Sequence, residues 1–226
     1  MNEIETERLQ LRLFRPDDLD DLSLIFGDPD VVRYLGSGHP ASRAETETAL
    51  GSIIRHWQVH GFGRWAAICK QTLKLIGYCG LRNFNGMPEL VYLLSKQYWG
   101  MGLATEMARA SLKYGFEERQ FERIIAMAKL ANVASQRVMR KIGMGFQENA
   151  VIFNMEVAFY SINRAAYFSE LGKNIFTRAL APEPTKSCSN FNFNENPAHS
   201  LPSSPELEAE MVSQWVFKET TKFLMD

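Results

Sequence analysis

A short glycine-containing segment of this chain could bind a phosphate group through its backbone. The segment is Trp99-Gly100-Met101-Gly102-Leu103-Ala104-Thr105. Glycine has no Cβ atom, so Gly100 and Gly102 would let the chain bend tightly and bring its N–H groups close to an anion. The chain contains neither GxxxxGK[ST] nor a GxGxxG pattern after a strand, which excludes a Walker loop and a dinucleotide fingerprint.

The elements predicted on either side place this segment where a phosphate would be stabilised. A strand is predicted over Glu89–Ser95 and a helix over Leu103–Glu118. The first N–H groups of a helix have no partner within the helix, and the helix dipole adds partial positive charge there. An anion can therefore bind without a basic side chain. A tight strand-to-helix turn with no ligand explains the two glycines equally well at this point.

A second polar segment follows the next predicted strand. This strand covers Arg123–Lys129, and a short helix is predicted over Ser135–Ile142, ending at Gly143. Asn132 lies just beyond the carboxyl end of the strand, where parallel sheets usually bind ligands. Its amide can both donate and accept hydrogen bonds. Asn and Ser also cap helices, so Asn132 and Ser135 have a purely structural explanation too.

The remaining hydrophobic pattern predicts an α/β fold with one mixed sheet, in the order β-α-α-β-β-β-α-β-α-β-β. It contains about seven strands and about four helices. The elements not yet named are strands over Arg8–Phe14, Arg64–Lys70, Leu75–Asn83, Ala150–Phe153 and Val157–Ile162, a helix beginning after Asp18, and a helix over Arg43–His60 with Ser42 and Glu45 as a capping box. The strand–helix–strand unit around the glycine segment is expected to be a right-handed crossover with a parallel strand pair.

The composition is that of an ordinary globular protein. The chain has 226 residues, of which 46% are hydrophobic and 23% charged, and its formal net charge is -1. This balance creates no long-range basic field, so no nucleic-acid partner is expected. Three scattered cysteines without CxxC spacing argue against a disulfide framework and a zinc site, and no metal is expected. No signal peptide or apolar run of about 20 residues is present. We therefore expect a cytoplasmic protein without a membrane partner.

The composition changes near residue 182, which suggests three parts. Residues 1–168 are predicted to form the folded domain, and 169–204 an extension and a linker rich in Pro, Ser and Asn. Residues 205–226 are predicted to form an amphipathic helix with Leu207, Met211 and Trp215 on one face. This face needs a partner, which could be its own domain, a second copy of the chain in a homodimer, or another protein.

The loop, helix, strand and Asn-x-x-Ser helix occur in an order that resembles the GNAT acyltransferase superfamily. The cofactor signature of that family, [Gln/Arg]-x-x-Gly-x-[Gly/Ala], is matched by Trp99–Ala104 with Trp at its first position. Other segments resemble the ribosomal-protein-type N-acetyltransferase branch, which acts on protein N-termini and other primary amines. These segments are Glu5–Arg12, Gly61–Trp65, Ile76–Leu81, Tyr98–Glu106 and Asn132–Met144.

The resemblance implies a GNAT domain, acetyl-CoA as co-substrate and a set of binding residues. The pantetheine arm of acetyl-CoA is expected to pair with the backbone at Leu93 and Leu94, as an added strand would. The loop Trp99–Thr105 is expected to hold the pyrophosphate. Asn132 and Ser135 are expected to contact the arm near its thioester end.

The glycine loop lacks a cation that many relatives have beside the pyrophosphate. Met101 stands where many relatives have Lys or Arg, so the loop is expected to rely almost wholly on backbone N–H groups and the helix dipole. The adenosine 3′-phosphate would need a cation from elsewhere. Candidates are Arg109, Arg137, Arg140 and Lys141.

The implied reaction is direct transfer of the acetyl group to an amine, without a covalent enzyme intermediate. Glu89 lies near the position where many relatives place a base, although a surface carboxylate at a strand end explains it at least as well. Many relatives have a Tyr seven residues after the position of Asn132, and this Tyr protonates the leaving thiolate. This chain has Met139 there. The thiolate could instead be protonated by Ser135 or by a water molecule, or the enzyme could have no dedicated acid. A non-catalytic acyl-CoA-binding or protein-interaction module on the same fold is the alternative function.

Overall fold

Eight strands form one mixed sheet in the part of the chain that the computed structural model describes, residues 3–169. In chain order they are β1 (Ile4–Glu5), β2 (Leu9–Arg12), β3 (Arg64–Cys69), β4 (Leu75–Phe84), β5 (Met87–Leu94), β6 (Arg123–Lys129), β7 (Gly145–Ile152) and β8 (Met155–Asn163). Their spatial order is β1-β2-β3-β4-β5-β6-β8-β7. All neighbours are antiparallel except β5 and β6, so the predicted parallel crossover is confirmed.

The helices that cover the sheet begin and end with recognisable local signals. They are α1 (Leu19–Phe26), α2 (Pro29–Val32), α3 (Arg43–His60), α4 (Leu103–Lys113), which continues into a wider π-helical turn (Tyr114–Glu118), and α5 (Val133–Lys141), while residues 164–169 are also helical. Ser42 and Glu45 exchange backbone-to-side-chain hydrogen bonds of 2.8 and 3.3 Å, which confirms the predicted capping box. Within residues 3–169, no helix is long and apolar enough to span a membrane.

The alternation of side chains along β3 divides the interior into two cores. Trp65 and Ala67 pack with Met107 of α4 on one face of the sheet. Ala66 and Ile68 pack with α1 and with Ile53 of α3 on the other face. Successive side chains of a strand point to opposite faces, so α4 lies on one side of the sheet and the α1–α3 layer on the other.

The turn between β4 and β5 sets the register that matters most for the site. The sequence predicts this turn over Asn83–Pro88, whereas the turn is tighter and has Asn85 and Gly86 at its centre, with φ of 51° and 79°. An Asn-Gly pair favours such a two-residue hairpin turn because both residues tolerate positive φ. The resulting register places Arg82 directly opposite Glu89.

Two other differences from the sequence prediction arise at the sheet edges. The eighth strand, β1, has only two residues and therefore no hydrophobic pattern; Ile4 pairs with Leu11. The sequence predicts Ala150 as the start of β7, but the strand begins at Gly145, and most of its side chains are exposed. An edge strand without a buried face has no alternation to detect. Apart from residue 169, the predicted linker and C-terminal helix lie outside the described residues.

Candidate active site

Strands β5 and β6 diverge, and a cleft opens between them. Their parallel pairing is confined to Glu89 and Ile125, whereas β5 stays paired with β4 as far as Leu94. A cavity of about 230 Å³ lies in the cleft. Its walls include Glu89, Leu90, Val91 and Tyr92 of β5, Met127, Ala128 and Lys129 of β6, and Asn132, Ser135 and Met139. Because β5 lacks a strand neighbour here, this edge can offer backbone hydrogen-bonding groups to an extended ligand.

Leu93 and Leu94 lie at the far end of this open edge. Their side chains are buried, so a ligand at this edge could contact their backbones but not their side chains. The indole N–H of Trp99 donates a hydrogen bond of 2.7 Å to the carbonyl oxygen of Leu94. Trp99 thus supplies a hydrogen-bond donor at the position where the signature has Gln or Arg, and the Leu94 carbonyl is already engaged.

The glycine segment forms the connection from β5 to α4. Gly100 and Gly102 have φ of 76° and 81°, values that other residues rarely adopt. Gly102 precedes α4, and no side chain caps the first N–H groups of this helix among the described residues. Leu103 is buried and anchors the helix, while Trp99 and Met101 are exposed and Ala104 and Thr105 are partly buried. The helix therefore presents uncapped N–H donors, which suit a phosphate.

A guanidinium group also lies beside this loop, which the sequence alone does not reveal. Arg8 donates to the carbonyl oxygen of Met101 at 2.8 Å and forms an ion pair of 2.7 Å with Glu106. Glu106 also accepts a hydrogen bond of 2.6 Å from the Thr6 hydroxyl. The carboxylate in the first turn of α4 is therefore tied to the N-terminal segment. Because the pair is neutral overall, Arg8 holds the shape of the loop and adds no net charge.

The contacts of Glu106 with Thr6 and Arg8 are expected to stabilise the fold at neutral pH and to be lost in acid. Burial raises the pKa of Glu106, but hydrogen bonds from Thr6 and Arg8 outweigh burial, and the net shift is downward from the ordinary 4.5. A carboxyl group with a lowered pKa stabilises the fold above its unfolded-state pKa, and this contribution is lost as pH falls through the folded-state value. We expect Glu106→Gln to lower the free energy of unfolding by about 1–2 kcal/mol at pH 7 and the difference to disappear as pH falls through the lowered pKa of Glu106.

Urea denaturation of both proteins between pH 7 and pH 3 measures this difference. The matched control is Glu122→Gln, because the Glu122 side chain is 87% exposed and its ion pair with Arg164 is 4.0 Å long. Such a pair contributes little. An effect of Glu106→Gln that is constant with pH, or equal to that of Glu122→Gln, would contradict the anchoring role.

Asn132 and Ser135 serve as a helix cap and also line the cavity. The side-chain oxygen of Asn132 accepts a hydrogen bond of 3.1 Å from the Ser135 backbone N–H at the start of α5. The Ser135 hydroxyl lies 2.9 Å from the hydroxyl of Tyr92, which also lies 3.0 Å from the Ser135 carbonyl oxygen. The structural explanation and the predicted placement beside a ligand are thus compatible.

Tyr92 is a candidate proton donor that sequence reasoning missed. Met139, at the position where relatives have Tyr, is buried against the core and carries no proton donor. Tyr92 reaches Ser135 from the opposite wall of the cleft, and burial raises the pKa of its phenol, which therefore stays protonated. The only sequence signal was a polar-tipped aromatic residue on the strand predicted to meet the cofactor.

Glu89 lies at the inner end of the cleft and is only 3% exposed. Its Oε2 atom accepts a hydrogen bond of 2.5 Å from Nε of Arg82 across the β4–β5 pair. Burial lowers the pKa of Arg82, but the charge of Glu89 and its hydrogen bond raise it by more. The net shift is upward, and the guanidinium stays charged. The alternative explanation of Glu89 as a surface carboxylate is therefore wrong. Its role as a base stays a prediction.

Comparison with known proteins identifies the family. The sequence profile of the acetyltransferase (GNAT) domain matches residues 8–145. An uncharacterized protein of Bacillus subtilis (strain 168), YkkB, is 37% identical over 161 residues, which cover 69% of this chain and 92% of YkkB. The chain belongs to the GNAT acetyltransferase family. The profile match includes the strands of the cleft, the glycine loop, Asn132 and Ser135.

Solved GNAT structures share the fold. An acetyltransferase of this family from Bacillus anthracis is 27% identical and superposes with a TM-score of 0.65, covering 72% of this chain and 99% of that one. RimL, the ribosomal L7/L12 alpha-N-protein acetyltransferase, solved in complex with coenzyme A, has a TM-score of 0.64 at 17% identity, with 73% and 99% covered. The second likeness shows a shared fold.

Proposed function

We propose that this GNAT domain transfers the acetyl group of acetyl-CoA to a primary amine by direct attack. The observation that carries the proposal is the geometry of the cleft. An open edge of β5 leads from the uncapped start of α4 to the buried carboxylate of Glu89. Such a cleft can hold a long ligand with a phosphate at one end and a reacting carbonyl at the other.

The proposed contacts with acetyl-CoA follow from this geometry. The loop Trp99–Thr105 would hold the pyrophosphate on the N–H groups at the start of α4. Arg8 would stabilise the loop through its hydrogen bond to the Met101 carbonyl oxygen. The pantetheine arm would pair with the β5 backbone towards Leu93, as a strand added to a sheet edge does. Asn132 and Ser135 would lie beside the arm near its thioester, because both line the cavity.

The proposed reaction forms one C–N bond and breaks one C–S bond. A neutral amine attacks the thioester carbonyl, the tetrahedral intermediate collapses, and the thiolate of coenzyme A leaves. Glu89 would accept the proton that the amine gives up, directly or through a water molecule. The Tyr92 hydroxyl, through Ser135, would return a proton to the thiolate. Proximity of the two substrates supplies much of the acceleration.

A measurement of thiol release tests this function. The full chain is incubated with acetyl-CoA and a panel of amines comprising peptides, amino acids, aminoglycosides and polyamines, and free coenzyme A is followed over time. Acetyl-CoA binding is measured separately by calorimetry. Tight binding with no turnover of any amine would favour the non-catalytic binding module, and absence of binding would contradict both functions.

Tyr92→Phe tests the proposed proton donor. Phe keeps the ring in the cleft wall but removes the hydroxyl, so we expect kcat to fall by about tenfold to 100-fold with little change in acetyl-CoA affinity. Tyr98→Phe is the matched control, because the Tyr98 hydroxyl contacts only Thr72 at 3.4 Å among the described residues. Equal kcat values for wild type and Tyr92→Phe would contradict a role in proton transfer.

A further inference from the structure

The wall of the cavity carries an excess of positive charge. Arg64 of β3, Arg82 of β4 and Lys129 of β6 all line it, while Glu89 is its single acidic lining residue among the residues that the structure describes. Arginine and lysine are cationic at neutral pH, and a carboxylate is anionic. Two of the three positive charges therefore have no counter-charge in the cavity wall.

The contacts of these three residues differ. Arg82 is paired with Glu89. Lys129 donates a hydrogen bond of 2.9 Å to the carbonyl oxygen of Gly36, in the segment between α2 and α3. Arg64 forms no ion pair with a carboxylate of the described residues. Its guanidinium lies 5.7 Å from the centre of the Tyr78 ring. Among the described residues, Arg64 is thus the cation of the cavity wall that has neither an ion pair nor a hydrogen bond to a backbone carbonyl, although it contacts Tyr78.

The surroundings of Arg64 make this arrangement costly without a ligand. Removal from water is the largest influence and lowers the pKa of Arg64; the charge of Arg82 lowers it too, whereas Tyr78 and the charge of Glu89 raise it, and the net shift is downward. A desolvated charge without a counter-ion is unfavourable, and an incoming anion would offset that cost. The planar guanidinium also matches a carboxylate with two parallel hydrogen bonds.

We propose that the acceptor is a small amine that also carries a carboxylate, of the amino-acid class, and that Arg64 binds this carboxylate. The inference rests on the proposed amine acetylation and names its substrate class. The cavity of about 230 Å³ is smaller than a pocket for a drug-sized ligand, about 300–1,000 Å³, which favours a small acceptor. Polycationic amines such as polyamines and aminoglycosides would be repelled by the same charges.

The positive wall would also assist the chemistry. An ammonium group beside two uncompensated cations has a lowered pKa, because the neutral amine is favoured there. The attacking form of the acceptor would therefore be more abundant than in water. The carboxylate of the acceptor would meanwhile fix its position relative to the thioester.

Matched pairs of acceptors test the proposal on the wild-type protein. Each common L-amino acid is compared with its own carboxamide, which has the same amine and side chain but no negative charge. We expect kcat/KM for the best acid to exceed that of its amide by at least about tenfold, and spermidine and kanamycin to react more slowly than either. Equal or faster reaction of the amides, or preference for the polycations, would overturn the proposal.

Variants of Arg64 test the assignment to that residue. Arg64→Met should raise KM for the acid by at least about tenfold while leaving the KM of the amide unchanged, and Arg64→Lys should fall between wild type and Arg64→Met. The matched control is Arg55→Met, because Arg55 is exposed on α3. Thermal unfolding confirms that each variant is folded. A loss of the same size for acid and amide would show that Arg64 only supports the fold.

A binding measurement separates this proposal from the proposed function. The probes are N-acetylated amino acids, which keep the carboxylate but cannot react, titrated by calorimetry into wild type and Arg64→Met in the presence of coenzyme A. Binding that depends on Arg64 supports the anion site even if no amine is acetylated. Turnover restricted to amides, with no binding of these probes, overturns the anion site and leaves amine acetylation standing.

Discussion

Replacing Glu89 with Gln is expected to lower the free energy of unfolding by about 3 kcal/mol and kcat by about 100-fold. Stability falls because Arg82 would keep its charge at a buried position without its partner. The rate falls because the amine would lose its proton acceptor. Chemical denaturation measures the first effect, and steady-state thiol release at saturating acetyl-CoA measures the second.

The double variant Glu89→Gln/Arg82→Met separates the two effects. With neither charge present, most of the lost stability should return, because Arg82 no longer leaves a buried charge without its partner. The rate should stay low if Glu89 accepts the proton. Recovery of activity in the double variant would instead show that Glu89 acts only by neutralising Arg82, and the base would have to be sought elsewhere.

Replacing Gly102 with Val is expected to raise the Kd for acetyl-CoA by at least about tenfold, which corresponds to about 1.4 kcal/mol. The backbone at Gly102 has a φ of 81°, and positive φ is especially unfavourable for a β-branched residue. The loop can relieve this strain by turning to negative φ. That rotation would move the N–H groups at the start of α4 away from the phosphate position. Isothermal titration with acetyl-CoA measures the change.

The control for this substitution is Gly86→Val in the turn between β4 and β5. Gly86 has a φ of 79°, and an added Cβ there would meet no atom within 4 Å, so the strain is closely matched. This turn lies at the opposite end of β5 from the loop. Stability should fall by a similar amount in both variants, but acetyl-CoA affinity should fall only in Gly102→Val. Loss of affinity in both would mean that general destabilisation is responsible.

Much of the fold could be predicted because its signals are local. The capping box of Ser42 and Glu45 lies within one helical turn, and β6, Arg123–Lys129, was predicted with the bounds that the structure has. Where the local signal was weak, the prediction was incomplete. The exposed strand β7 was predicted five residues too short at its start, since no buried face imposes a pattern on it.

The candidate site divides in the same way. The loop Trp99–Thr105 and the Asn132 cap could be recognised because glycine, asparagine and serine act on their own backbone or on that of close neighbours. The long-range side-chain contacts around the site could not be predicted from the sequence. Arg8 and Glu106 are 98 positions apart, and Tyr92 and Ser135 are 43 apart. Such contacts depend on the sheet order and on how each helix packs.

The sequence by itself determined the family and the strand and helix types and predicted a phosphate-binding role for the glycine loop, because these depend on residue type and short spacing. Only the tertiary structure decided that β5 and β6 part after Glu89, that Glu89 is buried against Arg82, and that Arg64 faces the cavity without a carboxylate partner among the described residues. The physical reason is that burial and charge compensation arise from all neighbours in space. Those neighbours are set by strand register and helix packing rather than by nearness along the chain.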